Sequence, residues 1–106
     1  PIGKLSFTNV EGLFDVSKNT IFVDKDVLKF PLEFRLWKEG DTFQPIGMTG
    51  KKKVSKYLKD EKASLVEKEN TWVLTSDNQV IWLIGKRADD RFKVTKVTKS
   101  ILKVSV

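Results

Sequence analysis

The chain has 106 residues, no cysteine, no histidine and a net charge of +6 at pH 7. These absences exclude a disulfide framework, a zinc–thiolate site and the usual general base at neutral pH. The longest strictly apolar run, Val80 to Ile84, is far below the roughly 20 residues of a membrane-spanning helix. We predict one domain over residues 1–106, of which the leading segment 1–19 is the least defined. Because the first residue is Pro1 and not Met, we expect a piece of a longer protein.

Patterns of period two predict two strands in the first third of the chain. The segment from Thr20 to Val23 is rich in β-prone residues. From Leu32 to Leu36, apolar side chains alternate with Glu33 and Arg35, as in a half-buried strand. Pro31 lies at the start of this second strand, where its missing N–H does least harm.

One segment has a helical period. Val54, Tyr57 and Leu58 fall at i, i+3 and i+4, which predicts a helix from about Lys51 to Asp60 with these residues on its buried face. A second face of that helix would present three lysines in a row, Lys52, Lys56 and Lys59.

A glycine-containing loop precedes this helix. Gly47 and Gly50 supply backbone freedom there, and a loop that runs into a helix start can offer N–H groups and a positive dipole end to a phosphate. The alternative is a loop that needs its glycines only for turning, with its lysines solvated. The loop is not a Walker A motif, because Pro45 and Lys52 stand where that motif needs Gly and Ser or Thr.

The second half of the chain is predicted to be mostly strand. Two apolar runs, Trp72 to Thr75 and Val80 to Ile84, favour a hairpin that turns within Ser76 to Gln79. The second run is apolar on both faces and should be a central, covered strand. Alternation predicts two further strands, at Phe92 to Val94 and at Leu102 to Val106. The fold class is therefore α+β, mostly β-strand with one short Lys-rich helix.

Two basic blocks carry the excess charge. Residues 51–62 hold six lysines against two acids, which gives +4, and residues 86–106 hold seven basic residues against two acids, which gives +5. A polyanion is the first partner that this charge suggests, and a membrane surface the second. A Lys-rich solvated surface is the alternative.

Several polar and aromatic residues have simpler structural interpretations. Asp89 or Asp90 is expected to accept turn N–H groups or to pair with Arg87 or Arg91, and Asp41 to cap a turn. Three tryptophans lie in strand-like apolar runs, so core packing is favoured over stacking on bases: Trp37, Trp72 and Trp82.

The stretch from Arg35 to Met48 reads R-x-W-x-x-G-D-x-F-x-P-x-G-M and is followed by a basic K-K-V-S segment. It resembles the signature of the C-terminal domain of tRNA(Ile)-lysidine synthetases. Similar short motifs recur in order over about residues 20–98, although Lys56, Ser64-Leu65 and Lys68 differ from many members. The residues assigned to the structural motif are Arg35, Trp37, Gly40, Asp41, Pro45, Gly47, Met48 and Gly50.

The resemblance implies a β-rich domain related to one in the phenylalanyl-tRNA synthetase β-subunit. It implies a cytoplasmic parent ligase that uses ATP, with magnesium, to join lysine to the wobble cytidine of an isoleucine tRNA with a CAU anticodon. The N-terminal catalytic domain of that parent carries an S-G-G-x-D-S loop, which is absent from this chain. The C-terminal domain would grip the tRNA body and acceptor stem, with no catalytic residue, cofactor or metal of its own.

We predict that RNA phosphates contact the two basic blocks. The residues predicted to bind RNA are Lys51, Lys52, Lys53, Lys56, Lys59, Lys86, Arg87, Arg91 and Lys93. A protein-interaction or dimerisation domain remains the alternative function. A small standalone enzyme is disfavoured by the lack of histidine, cysteine and a phosphate-binding loop.

Overall fold

The computed structural model describes residues 5–12 and 19–106, so residues 1–4 and 13–18 of the leading segment lie outside it. The strands are β1 (Ser6–Val10), β2 (Thr20–Asp24), β3 (Leu32–Leu36), β4 (Thr42–Phe43), β5 (Lys52–Lys53), β6 (Trp72–Ser76), β7 (Gln79–Leu83), β8 (Arg87–Ala88) and β9 (Ile101–Ser105). The helices are α1 (Val54–Asp60) and α2 (Leu65–Glu69), and two 3-10 turns span Lys25–Val27 and Asp90–Phe92. The predicted α+β class, with strand dominant, is confirmed.

A three-stranded antiparallel sheet places β9 between β1 and β2. Val23 lies opposite Leu102, and Ile21 lies opposite Val104. Val23, Leu102 and Val104 are buried in one core cluster. The strands predicted at Thr20 to Val23 and at the C-terminal end of the chain are therefore confirmed.

A four-stranded antiparallel sheet has the order β3-β6-β7-β8. The β6–β7 hairpin turns at Asp77 and Asn78, whose φ angles are +49° and +65°, as a tight two-residue hairpin loop requires. Strand β7 supplies Trp82 to the cluster that contains Val23, and Leu83 to the cluster that contains Leu58. The prediction of a central strand covered on both faces is confirmed.

Helix α1 packs against this sheet with the predicted face. Val54, Tyr57 and Leu58 are all buried, and the Tyr57 ring meets the Phe43 ring edge-to-face at 5.4 Å between centroids. The predicted start at Lys51 is wrong, however. Residues 52–53 pair with residues 42–43 as the two-stranded ribbon β4–β5, so the helix begins only after this ribbon ends.

A second helix, α2, was not predicted. Its N-cap Ser64 accepts a hydrogen bond from the backbone N–H of Glu67, and the Glu67 carboxylate accepts one from the Ser64 N–H, which is a capping box. No residue of α2 is buried, and Leu65 and Val66 are exposed. Because the helix buries no apolar stripe, hydrophobic periodicity had no signal to detect, and S-x-x-E was the only local indication.

The strand predicted at Phe92 to Val94 is also wrong. Asp90–Phe92 forms a 3-10 turn, because the Asp89 side chain accepts a hydrogen bond from the Arg91 N–H and bends the chain. Phe92 is nevertheless buried in the core. The alternating pattern therefore identified Phe92 correctly as a buried residue, but it predicted a strand where the backbone forms a 3-10 turn.

The tryptophans differ in burial. Trp82 is in the core, as predicted. Trp72 is half-buried and stacks on Phe34 with 4.6 Å between ring centroids. Trp37 is half-buried at the edge of the other cluster, and its indole N–H donates to the Lys68 carbonyl at 2.6 Å. All three pack against the protein, as their positions in apolar runs indicated.

Candidate nucleic-acid interface

A bidentate ion pair stabilises the turn that leads into the glycine loop. The Arg35 guanidinium donates from Nη1 and Nη2 to the two carboxylate oxygens of Asp41, at 2.9 and 3.0 Å. Asp41 also accepts from the Lys38 N–H at 2.8 Å, and Gly40 takes the positive φ of +94° that this turn needs. Asp41 therefore caps a turn, as predicted, and Arg35 is the partner that sequence reasoning did not find.

The Asp41 carboxylate is held in its charged form. Burial alone would raise its pKa, but hydrogen bonds from Arg35 and from the Lys38 N–H, together with the guanidinium charge, outweigh burial and lower it. The same hydrogen bond to Asp41 raises the pKa of Arg35 against the opposing effect of burial. Two motif residues thus have a structural role, which is to fix the turn at 38–41.

The glycine loop, residues 45–50, is hydrogen-bonded to β8. The Ile46 N–H donates to the Ala88 carbonyl at 3.1 Å, and Arg87 Nη1 donates to the Ile46 carbonyl at 3.2 Å. Gly47 and Gly50 both have positive φ, near +85° and +81°. The fold therefore places Arg87, from the second basic block, beside the loop from which Lys51 of the first block emerges.

The glycine loop does not run directly into a helix start, as one of the two interpretations of the sequence required. Two strand residues separate the glycine loop from α1, and the Val54 N–H already donates to the Asp41 carbonyl at 2.9 Å. The loop uses its glycines for turning, which was the alternative. The first N–H of α1 is therefore already bonded within the fold.

The predicted row of lysines on α1 is also interrupted. Lys52 lies on β5, where its ammonium contacts Asp60 at 2.7 Å, and Lys56 contacts the same carboxylate at 3.4 Å. The hydrogen bond from Lys52 is the main cause of the lowered pKa of Asp60. Only Lys59 of the row is exposed without an ion pair among the described residues.

Basic side chains at the start of the second basic block form ion pairs with acidic residues. Arg91 donates from Nε and Nη2 to the two oxygens of the buried Asp89 at 3.0 and 2.8 Å, and this hydrogen bonding raises the pKa of Arg91. Lys93 contacts Asp90 at 2.8 Å. The hydrogen bond from the Ser64 N–H is the main cause of the lowered pKa of the Glu67 carboxyl, and Lys86, which contacts this carboxylate at 3.4 Å, lowers it further. The expectation of a locally paired turn is confirmed.

The nine predicted RNA-binding residues therefore fall into two groups. Within the described residues, five of them form ion pairs, namely Lys52, Lys56, Lys86, Arg91 and Lys93. The other four are exposed and form no ion pair there, namely Lys51, Lys53, Lys59 and Arg87. Three of these four, Lys51, Lys53 and Arg87, flank the glycine loop.

Two clefts meet at Lys51. One, of about 510 Å³, is lined by Met48, Thr49, Gly50, Lys51, Lys52, Lys53 and Lys56. The other, of about 230 Å³, is lined by Gly40, Asp41, Thr42, Lys51, Asn78, Gln79, Val80 and Arg91. Asn78 and Gln79 were read from the sequence only as turn residues, and their place beside two cations became visible only in the fold.

Neither a metal cluster nor a membrane-spanning helix is found in the described part of the chain. Among residues 5–12 and 19–106, no group of three or more acidic, histidine or cysteine side chains is placed to hold a metal ion. In the same residues, no helix is long and apolar enough to cross a bilayer.

Comparison with known proteins gives consistent matches. Residues 32–104 match the family described as the TilS substrate C-terminal domain. The tRNA(Ile)-lysidine synthase of Parabacteroides distasonis is 47% identical over 94 residues, which are 87% of this chain and 22% of that protein. The enzyme of the same name from Bacteroides thetaiotaomicron is 47% identical over 80% of this chain and 20% of its own length. The chain thus spans about a fifth of these relatives.

Two solved structures share the fold. A crystal structure of a TilS C-terminal domain superimposes with a TM-score of 0.77 at 16% identity, over 95% of this chain and 78% of the other. An N-terminal fragment of the phenylalanyl-tRNA synthetase β-subunit from Pyrococcus horikoshii gives a TM-score of 0.67 at 16% identity, over 80% and 27% of the two chains. At this identity the two matches support the fold alone.

Proposed function

Because the chain belongs to the TilS substrate C-terminal domain family, we propose that it is a single domain that docks tRNA for a parent tRNA(Ile)-lysidine synthase and does no chemistry itself. The observation that carries this proposal is that exposed cations from both basic blocks, without ion pairs among the described residues, border the glycine loop. Arg87 donates to the Ile46 carbonyl of the loop, and Lys51 and Lys53 line a cleft together with its residues 48–50. A polyanion is the partner that such a cluster attracts.

The rigidity of the loop suits a double-stranded RNA surface. An RNA helix is recognised mainly through its phosphates, its 2′-hydroxyls and its shape, so cations are most effective when the backbone that carries them is fixed. The Arg35–Asp41 pair and the hydrogen bonds between the loop and β8 fix this backbone. The tRNA body and acceptor stem are the helical targets that we propose.

The chemistry belongs, in this proposal, to the N-terminal catalytic domain of a cytoplasmic parent protein. That domain would bind ATP and magnesium and join lysine to the wobble cytidine of an isoleucine tRNA with a CAU anticodon. The present domain would contribute by holding a distant part of the same tRNA, so that the anticodon reaches the catalytic centre. The curated relatives, which are about five times as long as the matched segment, have room for such a division.

The test is a titration of the chain with tRNA at several salt concentrations. If about four phosphates are neutralised, log K should fall against log salt with a slope of roughly −3 to −4. Binding without salt dependence, or no binding at low salt, would contradict the proposal. Release of AMP by the chain alone, when it is given ATP, lysine and tRNA, would contradict the absence of chemistry.

One feature favours a second candidate function, a protein contact. Leu65 and Val66 on α2 are 71% and 68% exposed, and Leu65 lines a cleft of about 470 Å³ together with Leu36 and Trp37. A protein-interaction or dimerisation domain would use this apolar surface. Gel filtration distinguishes the two functions, since a docking domain should shift only with tRNA and a dimerisation domain should elute as a dimer without it.

A further inference from the structure

We propose that the polar cleft between the turn at residues 40–42 and the tip of the β6–β7 hairpin holds one stretch of RNA sugar–phosphate backbone. Lys51 and Arg91 would contact a phosphate, and Asn78 and Gln79 would contact the neighbouring ribose 2′-hydroxyl. The inference rests on the proposed docking of tRNA and deepens it, because it names the groups that distinguish RNA from a backbone without 2′-hydroxyls.

The cleft brings together two cations that are far apart in the sequence. Lys51 and Arg91 both line it. Lys51 has no ion pair among the described residues, and Arg91 uses only Nε and Nη2 on Asp89. Its Nη1 group is left for a ligand, while the buried carboxylate holds the guanidinium in one orientation. An anion entering the cleft would therefore meet the ammonium of Lys51 and a fixed guanidinium with one unused donor group.

The acidic residue in the cleft does not oppose an anion strongly. Asp41 lines the same cleft, but both of its oxygens accept from the Arg35 guanidinium at 2.9 and 3.0 Å. That pair is close to neutral as a unit. The positive charge that remains at the cleft is that of Lys51, because Arg91 is itself paired with the buried Asp89. Arg91 contributes a hydrogen-bond donor, Nη1, on a side chain that is 30% exposed.

Two amides complete the cleft. Asn78 and Gln79 are exposed at the hairpin tip and line the cleft, and neither side chain makes a hydrogen bond within the described residues. A primary amide both donates and accepts, as a 2′-hydroxyl does. In A-form RNA the 2′-hydroxyls lie along a wide, shallow minor groove. An amide next to a phosphate-binding cation is therefore well placed to contact a ribose.

The size and stiffness of the site favour a piece of polymer. Its volume of about 230 Å³ is below the roughly 300–1,000 Å³ of typical pockets for free small ligands. Asn78 lies on the two-residue hairpin loop and Gln79 is the first residue of β7, in a hairpin whose strands are among the most buried parts of the molecule. Little conformational freedom is lost when such a loop binds, which favours recognition of a regular backbone.

The test compares the parent chain with the double variant Asn78→Gly and Gln79→Ala. Glycine adopts the positive φ of position 78 without strain, so the variant removes both amides and keeps the turn. The probes are an acceptor-stem RNA hairpin with 2′-hydroxyls and the same hairpin with 2′-fluoro groups, which keeps the A-form and removes the hydroxyl donor. Asn9→Ala, which removes an exposed amide from β1 in the other sheet, is the matched control.

We expect the parent and the control to bind the 2′-hydroxyl RNA roughly five- to twentyfold more tightly than the 2′-fluoro RNA, as for one or two hydrogen bonds. The double variant should lose this preference and keep the salt slope of the parent. Equal binding of both RNAs by the parent, or an unchanged preference in the variant, would overturn the inference alone. Failure of the parent to bind tRNA at low salt would overturn both this inference and the docking function. Thermal melting verifies that the variants are folded. If the double variant is destabilised, the same binding comparison is made with the single variants Asn78→Gly and Gln79→Ala.

Discussion

Segments 51–53 and 86–93 are both rich in basic residues, but the fold leaves their charges in different states. In the first, Lys51 and Lys53 are exposed and make no ion pair among the described residues. In the second, three of the four basic side chains contact carboxylates, namely Lys86, Arg91 and Lys93. The two segments therefore contain similar numbers of basic residues, but they differ in how many of these residues are free of ion pairs within the described part of the chain and available to a partner.

Local geometry explains the difference. Asp89 and Asp90 lie two and three residues after Arg87, and the 3-10 turn at Asp90–Phe92 folds Arg91 back onto Asp89. Segment 51–53 is a strand edge with no acid beside it in the sequence, and only Lys52 reaches Asp60 across α1. Segment 86–93 thus shapes the loop, and segment 51–53 presents charge.

The largest effect on stability is expected from Leu58→Ala. Leu58 is fully buried, so the change should lower the free energy of unfolding by about 2–5 kcal/mol in urea denaturation. Lys59→Ala, the exposed neighbour, should change stability by no more than about 0.5 kcal/mol. Equal stability of the two variants would mean that α1 is not held by its apolar face.

Asp89→Asn should have the next largest effect on stability. The buried carboxylate accepts from the N–H groups of Gln44 and Arg91 and from the Arg91 guanidinium. The amide of asparagine has the same size as the carboxylate but cannot accept hydrogen bonds from all of these donors. The free energy of unfolding should therefore fall by roughly 2–3 kcal/mol, a value that already allows for the partial exposure of Arg91. Asp90→Asn, at the exposed pair with Lys93, is the control and should cost little. The reverse order would contradict a structural role for Asp89.

A smaller, pH-dependent effect is expected at Asp41. Its pKa is lower in the folded chain than its ordinary value of about 4, so the Arg35 pair contributes full stability above that value. The contribution should be lost as the pH falls through the lowered pKa. Asp41→Asn should therefore be less stable than the parent at pH 7, by roughly 1–2 kcal/mol, and the two should converge in strong acid. A difference in stability that is independent of pH would exclude the carboxylate as its source.

The smallest effect is expected at the exposed pair in the first basic block. Lys52→Ala should raise the pKa of Asp60 toward its ordinary value, because the Lys52 hydrogen bond is the main cause of the lowering. The side-chain carboxyl resonance of Asp60, followed by NMR through an acid titration, measures this directly. Lys56→Ala should raise the same pKa less, since the contact of Lys56 with Asp60 is longer, at 3.4 Å. No change in either variant would show that the pairs do not persist in solution.

Much of the fold was predictable because its signals are local. The strands at Thr20, Leu32 and Trp72 and the buried face of α1 follow from periodicity over a few residues. Helix α2 was missed because it buries nothing, and the start of α1 was misplaced because Lys52 and Lys53 pair with a distant strand, β4. The periodicity of a few neighbouring residues does not predict pairing with a strand about ten residues away.

The candidate site was predictable only in part, for a similar reason. Sequence composition located the two basic blocks and the acidic partners at Asp89 and Asp90. It could not show that Arg87 bonds the glycine loop or that Asn78 lines a cleft with Lys51, since these contacts join segments many residues apart. Charge counting finds where cations are, and tertiary contacts decide which of them are free.

The most direct measurement is tRNA binding by two matched double variants, Lys51→Ala with Lys53→Ala, and Lys86→Ala with Lys93→Ala. Each removes two positive charges, and each should melt close to the parent temperature because the four side chains lie at the surface. The first variant should bind tRNA more weakly, with the magnitude of the salt slope reduced by roughly two. The second should keep nearly the parent affinity and slope. Equal losses in the two variants, or a larger loss in the second, would contradict the claim that the free cations at the glycine loop hold the RNA.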